Sequence, residues 1–350
     1  MSEQADFAAV LRHYPLHTKR MWRLTAGHIN LTYFVEAAEG HFTLQRLHPI
    51  LDPEVHNDIE VVTAHLASHG VQTPRLLHTL ADGLWTPDAE GRVWRVLTFL
   101  EGETVDRASS PSRCRAAGEL LGRVHAALWD LQHRYSHRRS GVHDTPGHLA
   151  HLQSALQDHR DHPAYDPVAL VAEAILTGVS SLALPFGLPL RHVHGDPKIS
   201  NFIFGPDGEA RAMIDLDTFA RMPLPLELGD ALRSWCAPSG EETEQPVSLD
   251  HFEAAVAGYA QGIGFLPERA EREAFPLATA LIAFELAARF CTDAIEERYF
   301  AWDPKRYSSS TAHNLARARS QLAMAKSILN ELDSLEAFVR RSWRNGPPSC

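Results

Sequence analysis

The chain has 350 residues, 44% of them apolar, and a formal charge of −11 from 33 Lys and Arg against 44 Asp and Glu. That length buries a sizeable core and favours two lobes over one, and the acidic balance excludes nonspecific nucleic-acid binding through a basic surface. Four dispersed cysteines, Cys114, Cys236, Cys291 and Cys350, form no CxxC pair, which argues against a disulfide framework or a thiolate zinc site and fits a reducing cytosol.

The N-terminus, "MSEQADFAAVLRHYPL", lacks the basic-then-apolar order of a signal peptide. The runs "MWRLT", "LTYFVEA" and "HFTLQRL" then predict three antiparallel strands, broken by "AGHIN" and "AAEGH". "DPEVHNDIEVVTAHLASHG" predicts a helix over 52–70, with Asp52 as N-cap, Pro53 at the first helical position and Gly70 at the C-terminal end. Val55, Ile59, Val62 and Leu66 supply its apolar face. "TPRLLHTL" and "VWRVLTFLEGE" predict two more strands, the second running into a hinge at 97–103.

After Gly102 the texture becomes helical. "SRCRAAGELLGRVHAAL" is amphipathic, a polar region follows from about 134 to 166, and helical patterning resumes at "DPVALVAEAILTGVSSL" and from about 249 to 341. Eight histidines fall between 125 and 162, with His133 and His137 at the i, i+4 spacing of metal ligands. No HExxH-type acid accompanies them, so the segment reads as an exposed helical insertion. The apolar run "LATALIAFELAARF" is interrupted by Glu285 and Arg289, too short and too charged to span a bilayer. The pattern predicts an α+β, bilobal chain: an antiparallel-sheet N-lobe over 1–100 and a larger, mostly helical C-lobe over 101–350. A cytoplasmic location with no membrane partner is expected.

Two polar knots carry chemistry. "HVHGDPKISNFIF" (192–204) supplies the carboxylate of Asp196 and the amide oxygen of Asn201, and "MIDLDT" (213–218) supplies Asp215 at the end of a short apolar run. A hairpin through the turn "GPDGE" would converge Asn201 and Asp215 on one point, with Asp196 close by on the loop. Phosphoryl transfer asks for this set: hard oxygen ligands for magnesium and a carboxylate near the attacking hydroxyl. Lys198, two residues past Asp196, is expected to neutralise charge on the transferring group, and Asp230 in "LGDALR" to anchor the loop.

HGD, four residues, Asn, and then a strand ending in Ile-Asp resembles the aminoglycoside phosphotransferase and choline kinase superfamily, which shares the protein-kinase fold. The resemblance implies ATP as donor, Asp196 as catalytic base, Asn201 and Asp215 as Mg²⁺ ligands, and His194 as a brace for the loop. "GHINLTYFV", "FTLQRLHPILDPE", "ELGDALR", "RFCTDAIEERYF" and "HNLARARSQLA" look like the branch containing N-acetylhexosamine 1-kinase. That implies a small-sugar acceptor, the anomeric hydroxyl of an N-acetylhexosamine, with Thr218 and Arg289 as sugar contacts and Tyr299 or Phe300 as a weaker one. Asp217 is either a substrate contact or a structural acceptor. For Arg289, spacing alone favours an ion pair with Glu285 four residues earlier.

The alternatives are another acceptor of the same superfamily (aminoglycoside, choline or ethanolamine, methylthioribose, homoserine) or a catalytically weak binding module. "AMIDLDTF" also matches the DxDxT signature of haloacid-dehalogenase phosphatases, but that motif normally opens its domain and here lies behind the HGD loop.

The N-lobe departs from a kinase pattern, because its third strand has no lysine. Arg46 is the expected phosphate-gripping cation, with Gln45 the rival position. Glu60, or Asp58, is the helix acid expected to orient that cation. "AGHIN" is the candidate loop over the phosphates. Phe99 and Glu101 in the hinge are expected to bind adenine through their backbone.

Overall fold

A computed structural model describes residues 3–24, 30–136 and 142–343, with side chains from Phe7 onward. Most of the "AGHIN" loop, His137 and Cys350 lie outside the described residues. The chain is bilobal, with a small antiparallel N-terminal sheet and a larger helical lobe, as in the protein-kinase-like fold.

A first helix, α1 (Glu3–Leu11), precedes the sheet. It goes beyond the sequence expectations, and it decides which face of the sheet is which. Strands β1 (Thr18–Arg23), β2 (Leu31–Ala37), β3 (Gly40–Arg46), β4 (Thr86–Pro87) and β5 (Val93–Thr98) form an antiparallel sheet in the order β1-β2-β3-β5-β4. Side chains alternate across a strand, so Tyr33, Val35, Phe42, Leu44, Trp94 and Val96 share one face. There they form a closed apolar cluster with Phe7, Val10, Leu11 and Tyr14 of the N-terminal segment. The other face, with Thr32, Gln45, Arg95 and Leu97, turns toward helix α2 (Val55–Ser68) and the C-lobe.

Helix α2 starts at Val55 rather than after Asp52. The Asp52 carboxylate accepts from Glu54 N (2.9 Å), a local turn that competes with the helix for the same backbone. Its end is as expected: Gly70 sits at φ +73°, its N–H reaching Ala67 O (3.0 Å) and that of Val71 reaching Leu66 O (3.0 Å). "TPRLLHTL" is not a strand. Pro74 lacks a donor, and the segment touches β5 through single bonds, such as Leu77 N to Val96 O and Thr98 N to Arg75 O (both 2.9 Å).

The C-lobe is built from α3 (Pro111–Ala127), α4 (Thr145–Asp158), α5 (Tyr165–Val179), α6 (Leu224–Trp235), α7 (Leu249–Ile263), α8 (Arg269–Glu273), α9 (Phe275–Glu296), α10 (Ser310–Asn330) and α11 (Leu332–Ser342). Two short antiparallel ribbons carry the functional loops: β6 (Leu190–Val193) with β9 (Ala220–Pro223), and β7 (Phe202–Phe204) with β8 (Ala210–Met213). The final helical run is broken at Glu331 into α10 and α11. α9 is longer than its apolar run. Its length and mean hydropathy of 1.4 would suit a membrane span, yet 78% of that window is buried inside the fold. It is the central core helix of this lobe.

The histidine-rich segment is helical at α4 and exposed along much of its described length, as expected, but parts of it are anchored in the core. His125 lies buried on α3 with Nδ1 2.9 Å from Tyr259 Oη. His133 meets the buried Asp58 at 2.8 Å, and α4 buries Leu152 and Ala155 in the lobe's core.

Candidate active site

Strand β6 delivers the chain to His194, and α6 then holds the following loop at four places. Glu227, fully buried, accepts from His194 N and Gly195 N (3.0 Å each), one on each carboxylate oxygen. Ser234 Oγ accepts from Ile199 N (3.3 Å), and Trp235 Nε1 donates to Pro197 O (2.9 Å). Burial pushes His194 down in pKa and keeps it neutral. Its Nε2–H donates to Ile214 O (2.9 Å) while Nδ1 accepts from Asp196 N (3.3 Å), a tautomer that ties the two knots together. Gly195 permits the remaining contact. It sits at φ +85°, and a Cβ there would lie 2.1 Å from Thr218 O.

Glu227 was not singled out from the sequence. Its signal was an acid on a helix whose other residues are almost all buried, since such an acid must find donors. Asp230, the expected anchor, is bound by Arg233 (2.8 and 3.2 Å) rather than by the loop. Burial opposes its ionised form, but Arg233 and His143 outweigh that and keep its pKa below the ordinary value.

The hairpin forms as expected. Phe202 pairs with Met213, and Ile214 N donates to Asn201 O (2.9 Å), which sets Asn201 beside Asp215. Asn201 Nδ2 donates to Asp196 O (2.8 Å), a contact that does not use its amide oxygen. Asp215 is held at φ +65°, ψ +57°, a conformation few residues other than glycine adopt, and such strain concentrates at functional sites. Burial and the nearby carboxylates of Asp217 and Asp196 push its pKa up to about 6, against the pull of Lys198 and Arg95. Lys198 Nζ lies 2.5 Å from Asp196 Oδ2. Burial disfavours this ammonium, but Asp196, Asp215 and Asp230 outweigh it and raise its pKa. The residues fit a divalent cation: hard oxygen donors converge, and Asp215 carries repulsion that a cation would relieve.

That repulsion gives a direct test. A carboxyl group whose folded pKa is raised is penalised progressively as pH climbs from its ordinary value of 3.8 to about 6, and fully above that. Asp215→Asn is expected to stabilise the metal-free protein at pH 7.5 by roughly 2 kcal/mol and to leave stability at pH 4 nearly unchanged. Asn tolerates the left-handed backbone. Chemical denaturation at the two pH values checks this, and an equal or lower midpoint at pH 7.5 would contradict it.

The opposite wall differs from expectation. Arg46 shares the α1-side face with Phe42 and Leu44, its guanidinium 5.9 Å from the Trp94 ring centroid. Glu60 turns to Arg75 (3.3 Å) and His78 (3.5 Å), and Asp58 to His133 (2.8 Å) and Ser136 N (2.9 Å), so neither acid orients Arg46. The cation on the cleft-facing side is Arg95 of β5. Gln45 Oε1 accepts from Arg95 Nε (3.0 Å) and Nη2 (2.8 Å). Arg95 then clasps Asp217 with Nη1 to Oδ1 at 2.5 Å and Nη2 to Oδ2 at 2.9 Å. Asn30 Nδ2 donates to the same Oδ2 (2.7 Å). With both oxygens occupied, Asp217 is an interlobe acceptor in this structure rather than a substrate contact. Burial works against its ionisation, but Arg95 and the hydrogen bonds from Arg95 and Asn30 hold its pKa down. His56 lies beside this pair, and burial together with the Arg95 charge lowers it to about 4. Arg95 was legible only as a cation inside an apolar strand, "VWRVLT", which demands a buried partner.

In the hinge, Phe99 N is committed to His41 O (3.1 Å), and its ring packs edge-on against Phe34. Glu101 makes a long contact to His41 (3.7 Å). Of the two, only Phe99 has its amide taken by the sheet. Thr218 Oγ1 donates to Asp215 O (3.3 Å), closing the turn after the knot.

Arg289 does not pair with Glu285. Its guanidinium lies 5.6 and 5.5 Å from the rings of Tyr299 and Phe300, and among the described residues it has no ion-pair partner. Glu285, one turn before it, accepts from Thr145 Oγ1 (2.6 Å) and lies 3.4 Å from His143 Nδ1. His143 and Lys198 both feel the charge of Asp230, which links this region to the loop carrying Asp196.

Residues 22–275 match the phosphotransferase enzyme family. Among curated proteins, the chain is 26% identical over 339 residues to a homoserine kinase of Caulobacter sp. (strain K31), covering 95% of this chain and 96% of that one. It is 26% identical over 332 residues to a homoserine kinase of Hyphomonas neptunium, covering 90% of each. Among solved structures it is similar to an amicoumacin kinase in complex with AMP-PNP, Ca²⁺ and Ami (TM-score 0.64, 18% identity, 92% of this chain and 93% of that one). It is also similar to a microcompartment-associated aminopropanol kinase (TM-score 0.65, 15% identity, 95% and 98%). At these identities the two structures share the fold.

Proposed function

We propose an acceptor and a mechanism from the premise that this chain belongs to the phosphotransferase enzyme family. It is a phosphotransferase that acts on a small-molecule hydroxyl. Our reading is that the donor is ATP and the acceptor a small zwitterionic amino alcohol of the homoserine type, phosphorylated on its hydroxyl. The observation that carries the acceptor is the cation on α9. A half-buried Arg289 without an ion-pair partner among the described residues stands one turn from a buried Glu285. An amino acid supplies a carboxylate for the guanidinium while Glu285 stays with Thr145 and His143, whereas a neutral N-acetylhexosamine leaves the guanidinium unmatched. The homoserine kinases matched along nearly the whole chain support the same choice.

In this reading Asp196 accepts a hydrogen bond from the acceptor hydroxyl and takes its proton as that oxygen bonds to the γ-phosphorus and the bond to the β–γ bridging oxygen breaks, releasing ADP. Lys198, already on Asp196, moves its charge to the transferring oxygens. Asn201 and Asp215 would hold Mg²⁺, which when bound neutralises phosphate charge. Arg95, rather than Arg46, is the sheet cation that would turn to the phosphates, giving up part of its clasp on Asp217 to do so, and the hinge backbone at Glu101 reads the base.

Coupled ADP-release assays with homoserine, aminopropanol, choline, an aminoglycoside and N-acetylglucosamine test this. Homoserine is expected to give a kcat/KM at least about tenfold above the others, the worth of one charge-assisted contact. Highest activity on the hexosamine would overturn the acceptor assignment while leaving the phosphotransferase intact.

A further inference from the structure

The last turn of α2 carries His65, and His69 stands four residues on at its C-terminal cap, with ring centroids 4.5 Å apart. Asp130, just past α3, rises to meet them. His65 Nε2 lies 3.1 Å from Asp130 Oδ1 and 2.9 Å from Ala127 O, and His69 Nε2 lies 4.0 Å from the same Oδ1. The three side-chain donor atoms fall within 4.8 Å of one another.

The tautomer of His69 is set by its neighbours. Its Nδ1 faces His65 O at 3.0 Å, a group that only accepts, so Nδ1 carries the proton and Nε2 turns its lone pair to the cluster. A backbone carbonyl on the far nitrogen is how proteins orient a ligating histidine. Donors bonded at about 2.1 Å to one metal sit roughly 3.0–3.4 Å apart in octahedral or tetrahedral sites, and the separations of 2.9, 3.1 and 4.0 Å straddle that range.

We propose that His65, His69 and Asp130, with the Ala127 carbonyl as a fourth donor, form a site for one divalent transition metal ion of the Zn²⁺ or Co²⁺ type. Two imidazoles select such borderline ions over Mg²⁺, so the site does not duplicate the oxygen set around Asp215. His65 shifts its ring proton from Nε2 to Nδ1 on binding and stays neutral, so the metal replaces the hydrogen bond to Ala127 O. The side chain of Asp130 is largely exposed and those of both histidines are partly so, which gives an ion access. The site joins the end of α2, which follows the first three N-lobe strands, to the end of α3, which follows the hinge. A bound ion would staple the two.

Isothermal titration of the full chain with Zn²⁺, and the visible spectrum on adding Co²⁺, both in excess Mg²⁺, test the site. One ion per chain is expected, with a rise in the thermal midpoint. His69→Ala and Asp130→Ala should each weaken binding by at least about tenfold and abolish the thermal shift. Both residues are exposed enough for the metal-free variants to melt like the parent. Unchanged stoichiometry and affinity in both variants would overturn the assignment, as would weak binding of many ions to the parent.

Discussion

Asp196→Asn is expected to lower kcat by about 10²–10⁴-fold, the range lost when a positioned general base is removed, with the nucleotide dissociation constant within a few-fold of the parent. The substitution is isosteric and keeps the backbone of the loop, which is held by Glu227, Ser234 and Trp235 and not by the Asp196 side chain. It removes the carboxylate that faces Lys198 at 2.5 Å. Lys198 still has Asp215 and Asp230 around it, so the ammonium is not stranded. Single-turnover measurements at saturating donor and acceptor separate this from a binding defect. A variant that retains parental kcat would remove Asp196 from the chemistry.

Arg95→Met is expected to produce the largest loss of stability. It leaves the carboxylate of Asp217, 5% exposed, with Asn30 as its one remaining donor among the described residues. Removing one partner of a buried ion pair costs about 3–5 kcal/mol, which for a chain of this size lowers the thermal midpoint by roughly 4–7 °C. The double variant Arg95→Met/Asp217→Leu should regain most of that, because an apolar pair removes the stranded charge. Nucleotide affinity should stay reduced in both variants if Arg95 grips the phosphates. Recovery of stability together with full nucleotide affinity would leave Arg95 as an interlobe strut only. Gln45→Leu offers a milder check, since it removes the acceptor that aims the guanidinium without creating a buried charge.

Local spacing is enough where the chain has few ways to connect two residues. Asn201 and Asp215 could be placed together from sequence because a turn at 205–208 and a short hairpin leave few ways to connect them, and His194 sits within the same loop. Gly70 could be placed because a helix ending in the left-handed region strongly favours glycine. Asp52 could not, because a side-chain turn and a helix cap compete for the same few residues.

Periodicity and short-range turns were enough to read from the sequence the two lobes and the loop and hairpin that carry Asp196, Asn201 and Asp215. Only the tertiary structure decided the opposite wall. Arg46 and Gln45 are adjacent on one strand, so their roles depend on which face of the sheet is closed, and α1 closes it on the Arg46 side. Arg95 meets Asp217 across 122 residues of chain, and Arg289 is left without Glu285 because Thr145 and His143 claim that acid from another helix and loop. Pairings of that kind carry no local signal. They follow from which buried charges the packed lobes bring within reach of each other.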